Sequence, residues 1–353
     1  NDEWAMFNKI SWLDKRIATG SWDVARNHPN LPAWIVKAVG GSSMHWAGVA
    51  LRFRDFEFRM RSENGAIKGA NLLDWPLDYA ELEPWYVKAE QHMGVTGPST
   101  GMPYHQWHNS FKVLAAGAQR IGYKEILSGP MAINTQPYDN RPGCMQVGFC
   151  MQGCRIGAKW STLYTDIPRA EATGNCEVRP QSMALRIEHD ARGRVNAVVY
   201  ADAEGRQQRQ KARVVCVAGN SIESPRLLLN SESSTFRDGL ANSSGQVGRN
   251  YMCHTTAGIY AIMPKPVHMY RGTTVAGIIS DESYNSPGRG FVGGYRLEIL
   301  SLGLPFMSAF LDPTPQGWGR TYASRMERYD HMSGVWLCGE DLPVESNRIT
   351  LHA

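Results

Sequence analysis

Apolar and polar positions alternate along this chain with two different periods, and the change from one to the other divides it. Near the start, Leu31-Pro-Ala-Trp-Ile-Val-Lys-Ala-Val39 leads into Gly40-Gly41-Ser42-Ser43. That pattern predicts a strand-like approach, a glycine turn, and then a helix from His45 toward Phe53. Asp74-Trp75-Pro76-Leu77-Asp78 opens another helix, from about Tyr79 to His92, with Asp78 as N-cap and Glu81 completing a capping box. Trp85 and Tyr86 read as packing residues of that helix. Between Gly97 and Gln136 the chain is rich in Gly, Pro, His and Trp, which predicts irregular structure.

From residue 177 the pattern is that of strands. Met183 to Glu188, Val195 to Tyr200 and Arg213 to Val217 are short β-rich runs separated by turns at Asp190–Gly193 and Asp202–Gly205, a meander. The last of these runs is apolar on both faces, so Cys216 within it is expected to be an ordinary buried thiol. It ends in Ala218-Gly219, ahead of a helix with Ser224 as cap and Pro225 in its first turn. A buried strand that feeds a helix through Ala-Gly places a ligand at the carboxyl end of a sheet. Beyond Gly258, β-branched and aromatic runs between Pro and Gly turns predict a mostly antiparallel sheet.

Composition narrows the function. With 353 residues, 42% of them hydrophobic, the chain can bury a sizeable core in two domains or one large one. The net charge of +4 comes from 37 basic and 33 acidic residues that are well mixed, without the basic stripe of a nucleic-acid surface. The longest apolar stretch, Ile299 to Leu311, contains Pro305 and is too short to cross a bilayer. Any targeting signal is expected outside the sequence.

Chemistry concentrates at the cysteines. Seven is an odd count at low density, which argues against a disulfide framework. Three of them nevertheless form Cys144-x5-Cys150-x3-Cys154, with glycines at 143, 148, 153 and 157 that let the backbone wrap tightly and bring amides close to the sulfurs. This is how an iron–sulfur loop is built. Structural zinc would want four ligands, usually in two close pairs, and Cys176, Cys216, Cys253 and Cys338 are scattered. A loop of free thiols, or one disulfide and a spare, is the alternative. The turn at Gly40-Gly41 adds backbone amides that can approach a diphosphate or a flat ring.

Four motifs in order resemble the glucose–methanol–choline (GMC) family of FAD oxidoreductases: Gly40-Gly41-Ser42-Ser43-x-His45-Trp46, Asp74-Trp75-Pro76, Ala218-Gly219-x3-Glu223-Ser224-Pro225-x-Leu227-Leu228-Leu229, and Val247-Gly248-Arg249-Asn250-x3-His254. The likeness runs from about residue 31 to the C-terminus. It implies an α/β (α+β) fold: a GMC-type FAD-binding domain of Rossmann type with a β-meander, and a substrate domain on an antiparallel sheet. The implied boundaries are 31–60 and 170–253 for the FAD-binding domain, 61–169 for a helical and irregular insertion with the cysteine loop at 141–160, and 254–353 for the substrate domain, incomplete at its C-terminus. FAD contacts are implied at Gly40, Gly41, Ser42, Ser43, His45, Trp46, Ala47, Gly48, Val178, Ala218, Gly219 and Asn220. In the related pyranose oxidases the histidine of the matching turn bonds covalently to the flavin 8α-methyl, so His45 is the implied attachment point. His254 is read as structural.

Within the family, the cysteine spacing resembles the bacterial glucose, gluconate and fructose dehydrogenases, whose catalytic subunit carries a three-iron cluster; Gly143 stands where some relatives have a further cysteine. The resemblance therefore implies a 3Fe-4S cluster on Cys144, Cys150 and Cys154, in a dehydrogenase of an alcohol, polyol, sugar or sugar acid. It further implies a periplasmic location, a multihaem cytochrome c as acceptor, a small accessory subunit, and membrane contact only through a partner. An oxidase using oxygen, or a non-catalytic flavin-fold subunit, is the alternative. The family's opening Gly-x-Gly-x-x-Gly unit and its C-terminal catalytic histidine, with Asn or a second His, have no counterpart in the sequence. The chain is thus expected to be the middle of a longer protein, with its base outside these residues and not at His352.

Overall fold

The computed structural model describes residues 36–284, 288–301, 319–320, 323 and 326–351. Within them the helices are α1 (Met60–Asn64), α2 (Tyr79–Met93), α3 (Asn109–Arg120), α4 (Asp166–Ala172) and α5 (Asn220–Leu229). The strands are β1 (Ile126–Leu127), β2 (Met183–His189), β3 (Val195–Ala201), β4 (Gln207–Lys211), β5 (Thr255–Ile262), β6 (Val275–Ile279), β7 (Tyr295–Leu300) and β8 (Met332–Gly339). They form two antiparallel sheets, one ordered β1-β6-β7-β8-β5 and the other β2-β3-β4.

The larger sheet owes its position to α3. Phe111, Ala115 and Ala118 lie on one face of that helix and pack on Ile279 and Ile299, with Leu297 and Val335 at the margin. The contact is so close that a Cβ on Gly277 would sit 2.4 Å from the Phe111 ring. The period of two then sends the neighbouring residues to the opposite face, where Ile278 pairs with Glu298 and Arg296 with Cys338. A second core surrounds Met131, Ile133, Cys150, Ala158, Val275 and Ile278, so the cysteine loop is packed against β6.

Several expectations hold. Asp78 Oδ1 accepts from the Glu81 amide and Glu81 Oε2 from the Asp78 amide, each at 3.0 Å, and α2 ends at Gly94. Tyr86 stacks on Tyr79, whereas Trp85 lies on the surface under Lys88. The meander turns at Asp190 and Asp202, whose carboxylates accept from amides two and four residues on. The sheet beyond Gly258 is antiparallel, beginning slightly earlier, at Thr255.

Others need correction. Val36 to Val39 forms no strand, and Leu31–Ile35 lies outside the described residues, as do His352 and the apolar stretch beyond Ser301. There is no helix from His45 to Phe53: the Ala50 amide donates to Pro130 O and the Ala132 amide to Gly48 O, so this segment bonds sideways, with a bridge at Val49 and Met131. The segment 97–136 is not irregular throughout, since it contains α3 and β1. The third meander strand is Gln207–Lys211, an exposed polar edge with no apolar signal, while Arg213–Val217 is unpaired among the described residues and Cys216 is exposed. Finally, α5 starts at Asn220 rather than Ser224, leaving Pro225 inside it; Asn220 Oδ1 accepts from the amides of Ile222 and Glu223 and moves the start upstream.

Candidate functional site

The glycine turn is compact and packed on one side. Gly40 and Gly41 have φ of +94° and +55°, and Gly41–Met44 form one short 3-10 turn whose Ser42 carbonyl accepts from the amides of both His45 and Trp46. A Cβ on Gly40 would lie 2.9 Å from Leu163, whereas one on Gly41 would meet nothing within 4 Å, so one side of the turn is packed and the other is open. Ser43 Oγ donates to Gly40 O and shares hydrogen bonds with the hydroxyls of Ser161 and Thr162. Ala47 packs against the core around Ile133, and Gly48 is buried.

The next residues meet the cysteine loop. His45 Nδ1 is 2.9 Å from the carbonyl of Met151, and Trp46 Nε1 donates to Trp160 O at 3.0 Å with the two indoles edge to face. Trp160 Nε1 and Gln152 Oε1 are buried without a protein partner, which is where a polar ligand is owed. Open space at Gly41 and orphaned polar atoms beside the turn suit a polar ligand with a flat ring such as FAD.

In the loop itself Cys150 is buried, Cys144 and Cys154 are half-buried against the same core, and all three are free thiols. Each sulfur accepts one backbone amide: Gln146 to Cys144 at 3.3 Å, Thr274 to Cys150 at 3.4 Å and Lys159 to Cys154 at 3.4 Å. Gln146, Gly148, Gly153 and Gly157 take positive φ to achieve this. Burial pushes the Cys144 thiol up to about 11 and Cys150 in the same direction, the amides opposing. A bound metal reverses that preference outright. Among the described residues no three His, Cys, Asp or Glu side chains are gathered to hold a single metal ion. An iron–sulfur cluster makes a different demand, because each thiolate takes its own iron and the sulfurs stand further apart; three thiolates with amide donors have the right donor chemistry for it.

Three residues that carry this seam were not legible as functional. Lys159 is completely buried and its Nζ donates to the carbonyls of Met44 and Trp46, each at 2.8 Å. Burial lowers it to about 8, with Cys150 and Cys154 opposing the shift. Met151 and Trp160 contribute main-chain carbonyls, which leave no mark on a sequence; a lysine between Ala158 and Trp160 is the one visible hint.

The helix that follows the second predicted FAD segment is tied to the residues ahead of the turn by Lys37 Nζ, 3.1 Å from Glu223 Oε1. Ala218, Gly219 and Asn220 are exposed, Asn220 at φ +82°, and the Gly219 amide donates to Ser224 Oγ, so Ser224 serves the helix start from within. Val178 is half-buried in the link between α4 and β2.

Downstream of the turn, Leu51–Glu57 and the free face of the larger sheet bound a cleft of about 300 Å³. Arg54, Glu57, His254, Tyr284, Arg296 and Glu340 are among its polar lining residues. Arg54 stacks over the Tyr284 ring at 3.5 Å. Burial, and then Glu340 beside it, raise the Glu57 carboxyl. His254 Nδ1 lies 3.3 Å from Gly339 O, a structural tie within the cleft wall.

The family model for GMC oxidoreductase matches residues 32–256. This chain belongs to the GMC oxidoreductase family. The fructose dehydrogenase large subunit of Gluconobacter japonicus is 33% identical over 66% of the chain and 44% of its own length. The 2-methyl-1,2-propanediol dehydrogenase of Mycolicibacterium austroafricanum is 31% identical over 90% of the chain and 60% of its own. A formate oxidase structure from Aspergillus oryzae RIB40, concerned with FAD modification, shares the fold with a TM-score of 0.52 at 12% identity, over 90% of this chain and 60% of that one. The chain thus spans about half the length of the curated relatives it matches. In GMC terms, the matched residues contain the glycine turn, the cysteine loop and the Ala218–Asn220 segment together, while β6, β7 and β8, which wall the cleft, lie beyond them.

Proposed function

We propose that this GMC chain forms the flavin- and cluster-bearing part of a dehydrogenase that oxidises a CH–OH group of an alcohol, polyol, sugar or sugar acid and exports the electrons singly to a cytochrome c. The observation that carries the reading is the seam in which His45 meets Met151 at 2.9 Å and Lys159 meets Met44 and Trp46 at 2.8 Å. FAD at the turn supplies the hydride acceptor, and a 3Fe-4S cluster on Cys144, Cys150 and Cys154 supplies a one-electron carrier. The turn residues bind and orient, and the packed core around Cys150 shields its sulfur from water. The cleft offers hydroxyl-binding groups of both signs, Arg54 and Arg296 against Glu57 and Glu340, which suits a polyhydroxylated molecule.

A second redox centre beside a flavin favours a dehydrogenase over an oxidase, which gives both electrons to oxygen. The similarity to a protein described as a large subunit supports assembly with further subunits, and we assign that place to a multihaem cytochrome c and a small accessory subunit. We place the assembly in the periplasm, attached to the membrane through a partner; no described helix is long and apolar enough to cross one. Iron and sulfide analysis with electron paramagnetic resonance of freshly isolated protein tests the cluster, and peroxide yield per substrate tests the acceptor. Zinc in place of iron, or one peroxide per substrate oxidised, would overturn the proposal.

A further inference from the structure

Met44 and Trp46 bracket His45 in the glycine turn, and one buried side chain holds both of their carbonyls. Lys159 Nζ donates to Met44 O and Trp46 O at 2.8 Å, and the Lys159 amide donates to Cys154 Sγ at 3.4 Å. Its backbone is fixed as well, by the bridge between Lys159 and Ile133, and its side chain is fully buried. A lysine is a costly choice for a clamp. Burying an ammonium forfeits its hydration, and a neutral donor of similar length would satisfy two carbonyls more cheaply. The groups that face this one are the carbonyls of the turn and the sulfurs of Cys150 and Cys154. The placement has an electrical consequence, because a charge in a water-free region acts over a longer distance than the same charge at the surface.

We propose that Lys159 is a positioning residue that locks the glycine turn onto the cysteine loop and sets a buried positive charge beside it, thereby raising the reduction potential of FAD bound at the turn. Reduction adds negative charge to a flavin, so a fixed cation nearby favours the reduced form. The same cation offsets the negative charge that thiolate ligation brings to the neighbouring loop. The inference rests on FAD lying at the glycine turn, as proposed above, and does not require the cluster.

The test is a spectroelectrochemical titration of the flavin absorbance in the FAD-loaded wild type and in three variants. Lys159→Met removes both clamp and charge, Lys159→Gln keeps an N–H donor without charge, and Lys159→Arg keeps the charge. Lower flavin midpoint potentials are expected in the Met and Gln variants, with Arg closer to wild type, and a shift of the flavin absorption maxima in the Met variant. A purely structural role would not separate Gln from Arg. Should the Met variant fail to fold, the Gln and Arg pair reads the charge on its own. A folded, FAD-loaded Gln variant with the wild-type potential overturns the proposal. FAD content of the wild type is measured separately: protein without FAD sinks the reading of the turn, whereas protein with FAD and an unmoved potential sinks only the role of Lys159.

Discussion

His45 Nδ1 lies 2.9 Å from the carbonyl oxygen of Met151, across the boundary between the glycine turn and the cysteine loop. A carbonyl oxygen only accepts, so the proton of the neutral imidazole belongs on Nδ1 and the nucleophilic lone pair on Nε2. One hydrogen bond thereby fixes the tautomer of the residue in the glycine turn through the backbone of the loop that carries the sulfurs.

That tautomer is the one needed for attachment of FAD through Nε2, and we expect an 8α-histidyl FAD at His45. After acid precipitation and denaturing electrophoresis, flavin fluorescence should travel with the polypeptide. His45→Ala should release its FAD on denaturation and oxidise substrate more slowly. A yellow supernatant and a dark band from the wild type would refute the bond.

Cys150 is the most deeply buried of the three sulfurs and accepts the Thr274 amide from just ahead of β6. Cys150→Ser should lower iron content and reduce electron delivery to a cytochrome acceptor by about 10-fold or more, while substrate still bleaches the flavin in a single turnover. Equal losses in both measurements would show that the thiol serves the flavin half instead.

How much of this was legible follows from which groups carry it. The capping box at Asp78 and Glu81 and the meander turns at Asp190 and Asp202 were readable because local side chains make their own hydrogen bonds. The GMC motifs and cysteine spacing were readable because they are side-chain patterns. The extended run from Ala47 was not, since its form is set by backbone bonds to Pro130 and Ala132, far along the chain. Nor was α3, although Phe111, Leu114, Ala115 and Ala118 carry a helical period among its glycine-, proline- and aromatic-rich neighbours. Lys159 escaped notice because its partners are carbonyls.

A buried and a half-buried carboxylate should give stability opposite pH slopes. Burial pushes Glu90 up, but hydrogen bonds from Arg52, two at 2.7 Å, and from Ser99 outweigh it and hold the carboxyl below its ordinary value. Its contribution is therefore present at neutral pH and lost as pH falls through the native value. Burial raises Glu298, against the opposing pull of Arg296, so its contribution is present in acid and lost as pH rises through its raised native value. Urea unfolding across a pH series should show Glu90→Gln flattening the acid slope and Glu298→Gln the opposite one. An unchanged acid slope in Glu90→Gln would remove that carboxylate from the account.

Gly41 and Gly48 separate conformational strain from steric strain. Both hold positive φ, +55° and +84°, so alanine pays a backbone penalty at either. At Gly41 the added methyl meets nothing within 4 Å; at Gly48 it would lie 2.8 Å from Ile133 Cγ1 and 2.9 Å from Cδ1, in the core that also packs Cys150. Gly41→Ala should therefore cost about 1 kcal/mol. Gly48→Ala should cost roughly 2–4 kcal/mol, because Ile133 must leave its place or the Gly48–Ala132 hydrogen bond must lengthen. The difference between the two denaturant midpoints reads the steric part directly. Equal losses would mean that the chain around Gly48 yields, and that the link between the glycine turn and the cysteine core is looser than its packing implies.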